Sequence, residues 1–423
     1  MRENALCALM AAFGSAALAW LGLYGFGWND YATEARPAVE ALAQGHLGEF
    51  VRLAPAYGGS LVERAPFALV PGFWGGGALA IYRMMVLPCL LAGAVLGVWL
   101  VARMRREGRS PLARGVTLAL CVANPVMLCA IELGHAEELL GASLCIGALL
   151  VAARASDRAG RPLLAGVMLG LAIANKEWAL LATGPILLVL PARQRLPCLL
   201  AAGASAGAVL APLVLSSGGF VAGTRALATP SSVIFQPWQV FWFFGHHGAI
   251  VHGAFGAAKP GFRMAPEWSG AISHPLILAV GAAITAATWL RSRRLTERDA
   301  LLALALLLMM RCLLDTWDVV YYPLPFILAL LAWEVRGPLG RPPLLALASS
   351  ALVWVNFHWM TEHASPDAQA AFFLVWSLPL TAWLGLRLFA PGRDALGRRL
   401  GADSRTGAQE TTVSSLGRLV STS

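Results

Sequence analysis

Long apolar stretches separated by short polar breaks run through the chain from residue 5 to residue 390. A bilayer core needs roughly 20 apolar residues per helix, fewer where a helix is short or partly buried in protein, and on that rule the chain has about twelve spans. They fall at 5–26, 78–102, 115–131, 138–153, 162–175, 177–191, 197–216, 272–290, 300–314, 320–335, 343–360 and 369–390. The expected fold class is all-α, a polytopic transmembrane helical bundle over residues 1–390. The run at 5–26 contains Ala17-Leu18-Ala19, which resembles a signal-peptide cleavage site. It continues apolar beyond that point, so a retained first helix is expected.

Two of these segments meet at Asn175-Lys176, and each is short for a crossing. One broken helix of the same total length is the alternative, and it would invert every later loop. The arginines decide between them. With twelve crossings the runs Arg103–Arg114, Arg154–Arg161, Arg193–Arg195, Arg291–Arg298 and Arg336–Arg341 all fall on one side, which the positive-inside rule makes cytoplasmic. Both termini are then expected in the cytoplasm, with the protein in the plasma membrane.

Two outer loops are long, 27–77 and 217–271. In the first, residues 37–51 carry apolar positions at helical spacing after Pro37, the pattern of an amphipathic helix lying in the interface. The second carries an aromatic run from Phe235 to Phe244, the composition of an interfacial belt. Residues 391–423 are polar, Gly/Ser/Thr-rich and basic, and a disordered cytoplasmic tail is expected there.

Composition narrows the class further. The 423 residues are 58% hydrophobic and only 13% charged, against about a quarter charged in soluble domains. The net charge of +9 comes from 32 Lys+Arg against 23 Asp+Glu. The basic residues sit in short runs between apolar stretches, so they anchor loops and no nucleic-acid partner is expected. All 7 cysteines lie inside apolar stretches without metal or disulfide spacing and read as small buried hydrophobes. The same topology sets all 8 histidines on the outer side, so titratable chemistry gathers on the extracytoplasmic face.

Asp30, in Trp28-Asn29-Asp30-Tyr31, follows the first span. A carboxylate at that boundary is either a general base toward a hydroxyl or a solvated helix cap. In Gly134-His135-Ala136-Glu137-Glu138, His135 and Glu138 are three apart, a spacing that sets both on one side of a helix start. Two ligands do not make a metal site, whereas polar groups close to hydrocarbon usually face a cavity. Lys176 sits at the break between two short apolar segments, where it either holds a phosphate or marks a turn and snorkels. The second long loop carries His246, His247, Lys259 and Arg263; a histidine there binds phosphate or acts as an acid/base, with at most one of the adjacent pair facing a given ligand, and Arg263 either pairs with phosphate or stays solvated. Arg311 and Asp315, four apart, are expected to pair with each other.

Taken together, these residues resemble the GT-C superfamily, the integral-membrane glycosyltransferases that use polyprenyl-phosphate sugars. Within it the chain is most similar to glycosyltransferase family 87, the bacterial polyprenyl-phosphate-mannose-dependent mannosyltransferases. The likeness covers roughly residues 1–335. It rests on Asp30 after the first helix, the long first loop, Gly134-His135-Ala136-Glu137-Glu138-Leu139-Leu140, and the Ala165–Ala172 stretch running into Lys176. The resemblance implies an inverting transfer of a hexose, mannose by the family pattern, to a lipid or glycan acceptor on the extracytoplasmic face. Asp30 would deprotonate the acceptor hydroxyl. Lys176, His246 or His247, and Arg263 would steady the leaving lipid phosphate, and His135 and Glu138 would line the sugar pocket. The partners implied are the polyprenyl-phosphate-sugar donor, the acceptor and membrane lipid, with no cofactor. Many members carry paired acids in the first loop that bind a divalent ion; this chain has Asn29-Asp30, so no metal is expected.

Two other classes compete. A transporter fits the span count, but transporters place ionisable groups near the midplane at a repeat interface, and this chain has no internal repeat. A lipid-linked glycan polymerase or ligase would share the outer-face site and would carry arginine-rich outer loops.

Overall fold

The computed structural model describes residues 7–15, 30–155, 160–228, 235–248, 251–252, 258–337 and 341–390. The expected tail at 391–423 and the expected first span beyond residue 15 lie outside them. The described chain is helical apart from short connections and one antiparallel pair, β1 (Val251–His252) with β2 (Ala258–Lys259).

Residues 7–15 form α1. The first outer loop then folds as α2 (Arg36–Ala43), α3 (Leu47–Leu53) and α4 (Gly58–Leu69). The single amphipathic helix expected over 37–51 is thus two helices. Gly45 between them takes φ +81°, a left-handed backbone that ends the first one. The apolar face of α2 is also spent inside the protein, where Val39 and Leu42 are buried.

The long apolar stretches become α5 (Ala78–Arg106), α6 (Pro111–Val122) with α7 (Pro125–Leu133), α8 (Glu137–Ala152) and α9 (Arg161–Asn175). A 3-10 turn at Glu177–Ala182 leads into α10 (Thr183–Val189), followed by α11 (Ala192–Ser216), α12 (Gly218–Ala228), α13 (Glu267–Arg291) and α14 (Glu297–Leu314). The last elements are α15 (Pro323–Val335), α16 (Leu344–Trp354) with α17 (Met360–His363), and α18 (Pro366–Phe389). Among the described residues, six helical stretches are long and apolar enough to cross a membrane: 78–106, 111–133, 192–216, 267–291, 344–363 and 366–389.

Burial sorts the helices into layers. Helices α8, α14 and α15 are apolar through most of their length and buried on nearly every side, as core helices must be. By contrast α11, α13 and α18 leave Leu200, Leu215, Leu290 and Val375 exposed. So large an apolar perimeter on a folded protein fits contact with lipid. In the peripheral pair α9–α11, a Cβ on Gly166 or Gly170 would come 2.2 Å from the Cys198 and Ala202 carbonyl oxygens. The glycines let the two backbones touch, the usual device of close membrane-helix packing.

The short segments at Asn175-Lys176 form an out-and-back pair. Helix α9 starts where Arg161 donates to the Arg154 carbonyl and ends where Asn175 donates to the Glu137 carbonyl at 2.9 Å. The chain turns at Lys176 in extended backbone, and α10 returns to the level of Leu295, whose N–H donates to Leu188 O at 2.8 Å. At that same end Arg336 meets Glu297 at 2.6 Å and also contacts Glu107, while Arg103 meets Glu107 at 3.2 Å and Glu297 at 3.6 Å. The opposite end of α8 and α9, where Asn175 meets Glu137, is the end that holds Asp30.

Candidate functional site

The Asp30 end begins with a stop signal in α7. Gly134 closes that helix at φ +97°, and the His135 N–H donates back to Ala130 O at 2.7 Å. A Cβ on Gly134 would also sit 2.7 Å from Tyr31 Cβ, so the glycine admits Asp30-Tyr31 against the turn. Because α8 starts only at Glu137, His135 lies outside its register. The expected pairing of His135 with Glu138 on one helix face therefore gives way to a different contact: His135 Nδ1 lies 2.8 Å from Glu137 Oε1.

Glu137 is the hub of the cluster. Its fully buried carboxylate faces His135, Lys176 Nζ at 3.3 Å and Arg64 Nη2 at 3.4 Å. Desolvating a carboxylate costs several kcal/mol, and the surrounding cations offset that cost. Arg64 is oriented by Ser60, one helical turn earlier on α4, through bonds to its carbonyl and hydroxyl, both 3.0 Å. Glu138 points toward a second pair of cations, Lys176 at 3.8 Å and Arg311 at 3.6 Å. Aromatic faces pack around these charges. Lys176 stands 4.7 Å from the Tyr57 ring centre, Arg311 4.0 Å from that of Tyr322, and the His135 ring lies tilted against Tyr321 with centroids 4.3 Å apart.

Asp30 occupies the outer edge of this cluster. Its Oδ2 lies 3.4 Å from His135 Nε2, and its side chain keeps 35% of its exposure. It caps no helix with its side chain, so the capping role weighed from the sequence is absent. Asp30, His135 and Glu137 thus form a line from the accessible edge into the buried hub. A histidine holding a carboxylate on each nitrogen favours its doubly protonated form. Burial works against that charge, but the Glu137 carboxylate and the bond to Asp30 outweigh it, so His135 titrates above its ordinary range.

The structure brings together Asp30, His135, Glu138 and Lys176 from the residues singled out in the sequence. It sets Arg263 and His247 in a second cluster. The Arg263 guanidinium makes paired 2.8 Å bonds to Asp367, which also accepts from Trp242 Nε1 at 2.8 Å and lies 3.3 Å from His247 Nε2. That cluster ties the second long loop to the first turn of α18. The expected Arg311–Asp315 pair does not form. The backbone turns extended at Asp315, which meets His274 at 3.5 Å, and Arg311 goes to Glu138. On the loop itself, the Met264 N–H donates to the His246 carbonyl at 2.9 Å and Lys259 stands 4.9 Å from the Phe262 ring centre. Burial pulls the Lys259 ammonium below its ordinary range, and no carboxylate pairs with it among the described residues.

Glu137 and Arg64 are the residues that sequence reasoning passed over. Glu137 stood in the motif already noted, and the αL glycine before it was the signal that His135 precedes the helix. Arg64 gave no such signal, since an arginine in a long loop usually stays solvated. Among the described residues no three His, Cys, Asp or Glu side chains are disposed to hold a metal ion together. No protein-family model matches the chain, and no curated protein matches it significantly.

Proposed function

We propose that the chain is an integral-membrane glycosyltransferase that moves a hexose, mannose by the family resemblance alone, from a polyprenyl-phosphate donor to a lipid or glycan acceptor. In this reading about twelve helices cross the plasma membrane, both termini are cytoplasmic, and the reaction occurs on the extracytoplasmic face. The observation that carries it is the Asp30–His135–Glu137 line at one end of a lipid-facing bundle: an accessible carboxylate backed by a histidine that a buried carboxylate holds in place.

The mechanism follows from that geometry. Asp30 takes the proton of the acceptor hydroxyl as its oxygen attacks the anomeric carbon, and the sugar–phosphate bond breaks on the opposite face, which inverts the anomeric centre. Glu137 fixes the His135 ring, and His135 fixes the Asp30 carboxylate. The leaving phosphate needs positive charge where its own charge develops. Lys176 lies in the same cluster as His135 and Glu137, whereas Arg263 and His247 are engaged by Asp367 in a separate one, so we assign that role to Lys176.

The test is to incubate the purified protein in lipid with labelled polyprenyl-phosphate sugars and an acceptor-lipid extract, then determine the anomeric configuration of any labelled product. A product inverted relative to the donor is expected. Absence of transfer from all the donors, or retention of configuration, overturns the reading.

A further inference from the structure

At the end of the bundle away from Asp30, the geometry points to a binding site for the phosphate of an anionic phospholipid, made by Arg298 and Arg387 with Trp333 and Trp383. This inference does not depend on the glycosyltransferase reading. Arg298 stands in the first turn of α14, Trp333 near the end of α15, and Trp383 and Arg387 near the end of α18. The two indole rings meet edge to face with centroids 5.7 Å apart. The Arg298 guanidinium carbon lies 5.2 Å from the Trp333 ring centre, and that of Arg387 lies 5.2 Å from the Trp383 ring centre.

The charge balance here differs from that of the neighbouring arginines. Arg103, Arg109 and Arg336 at the same end are neutralised by Glu107 and Glu297. Arg298 and Arg387 make no ion pair or hydrogen bond among the described residues, and Arg387 is close enough for its charge to repel that of Arg298. Asp299 is the acid that acts on Arg298, but its carboxylate is occupied by the Thr296 hydroxyl at 2.8 Å. Arg298 also stands at the positive end of the α14 dipole, an unfavourable place for a cation unless an anion is close by.

Two guanidiniums held on aromatic faces offer the forked donors that phosphate oxygens accept. Indole rings favour headgroup depth in a bilayer. Beside them the exposed Leu386 and Phe389 continue the site as apolar surface suited to acyl chains. A phosphate joined to hydrocarbon satisfies both halves, and a zwitterionic headgroup would bring its own cation against the arginines.

Native mass spectrometry of the full chain in detergent, titrated with phosphatidylglycerol or phosphatidylcholine, tests this. With two arginines near the membrane surface, we expect phosphatidylglycerol to bind about thirtyfold more tightly. Arg298→Gln with Arg387→Gln should remove that preference, while Arg193→Gln, which alters another arginine at the same end, should leave it. The pair Arg298→Lys and Arg387→Lys, which retains both charges, should keep part of the preference and serves if the glutamine pair does not fold. Equal binding of the two lipids, or an equal loss with Arg193→Gln, overturns the site. Displacement of phosphatidylglycerol by millimolar inorganic phosphate would show that phosphate alone is the ligand and overturn the lipid assignment.

Discussion

Replacing Glu137 with Gln keeps side-chain volume and leaves the backbone carbonyl that accepts from Asn175 in place. It removes the one negative charge that faces His135, Lys176 and Arg64 together. Truncating one partner of a buried ion pair costs about 3–5 kcal/mol, because the other charge stays buried. The three contacts share one carboxylate and do not add. Lys176 keeps Glu138 at 3.8 Å and Arg64 keeps both Ser60 contacts. The loss should therefore lie near the lower limit, about 3 kcal/mol. Equilibrium unfolding in lipid–detergent micelles measures it, with Lys176→Met and the double variant completing a thermodynamic cycle. A Glu137→Gln change within about 0.5 kcal/mol of the parent, the range of ordinary surface substitutions, would refute the hub.

Stability should also depend on pH through His135. Its folded pKa lies above the ordinary value, so its contribution is complete below about pH 6.5 and is lost as pH rises through the folded value; His135→Gln should remove that alkaline slope in thermal unfolding curves. Arg263→Gln should cost about 1 kcal/mol, since the pair with Asp367 is partly exposed, and should make the second long loop easier to cleave in limited proteolysis. Gly170→Leu should separate α9 from α11, because even a Cβ there would lie 2.0 Å from Ser205 Oγ and 2.2 Å from Ala202 O; an unchanged melting temperature would argue against that close approach.

How much of this was legible in the sequence follows from what each feature depends on. The apolar stretches give helices because a lipid-embedded backbone must satisfy its hydrogen bonds internally, and composition alone reports that. The reversal at Lys176 was legible through the arginines on either side, although neither segment is long. Pairing was not legible. An i,i+4 rule joins Arg311 to Asp315 only while the helix continues, and the turn at Asp315 sends them to separate partners. Likewise Arg263 reads as an available phosphate ligand until α18, about a hundred residues later, delivers Asp367 to it. Such long-range juxtapositions come from packing, which local spacing does not encode.

The most direct test of the central claim is single-turnover transfer from labelled polyprenyl-phosphate mannose by the parent and by Asp30→Asn, with donor binding measured on both. Loss of a general base should lower the rate about 10²–10⁴-fold, while donor affinity and the unfolding midpoint stay near those of the parent. Transfer by Asp30→Asn at the parent rate would remove Asp30 from the chemistry and the glycosyltransferase mechanism with it.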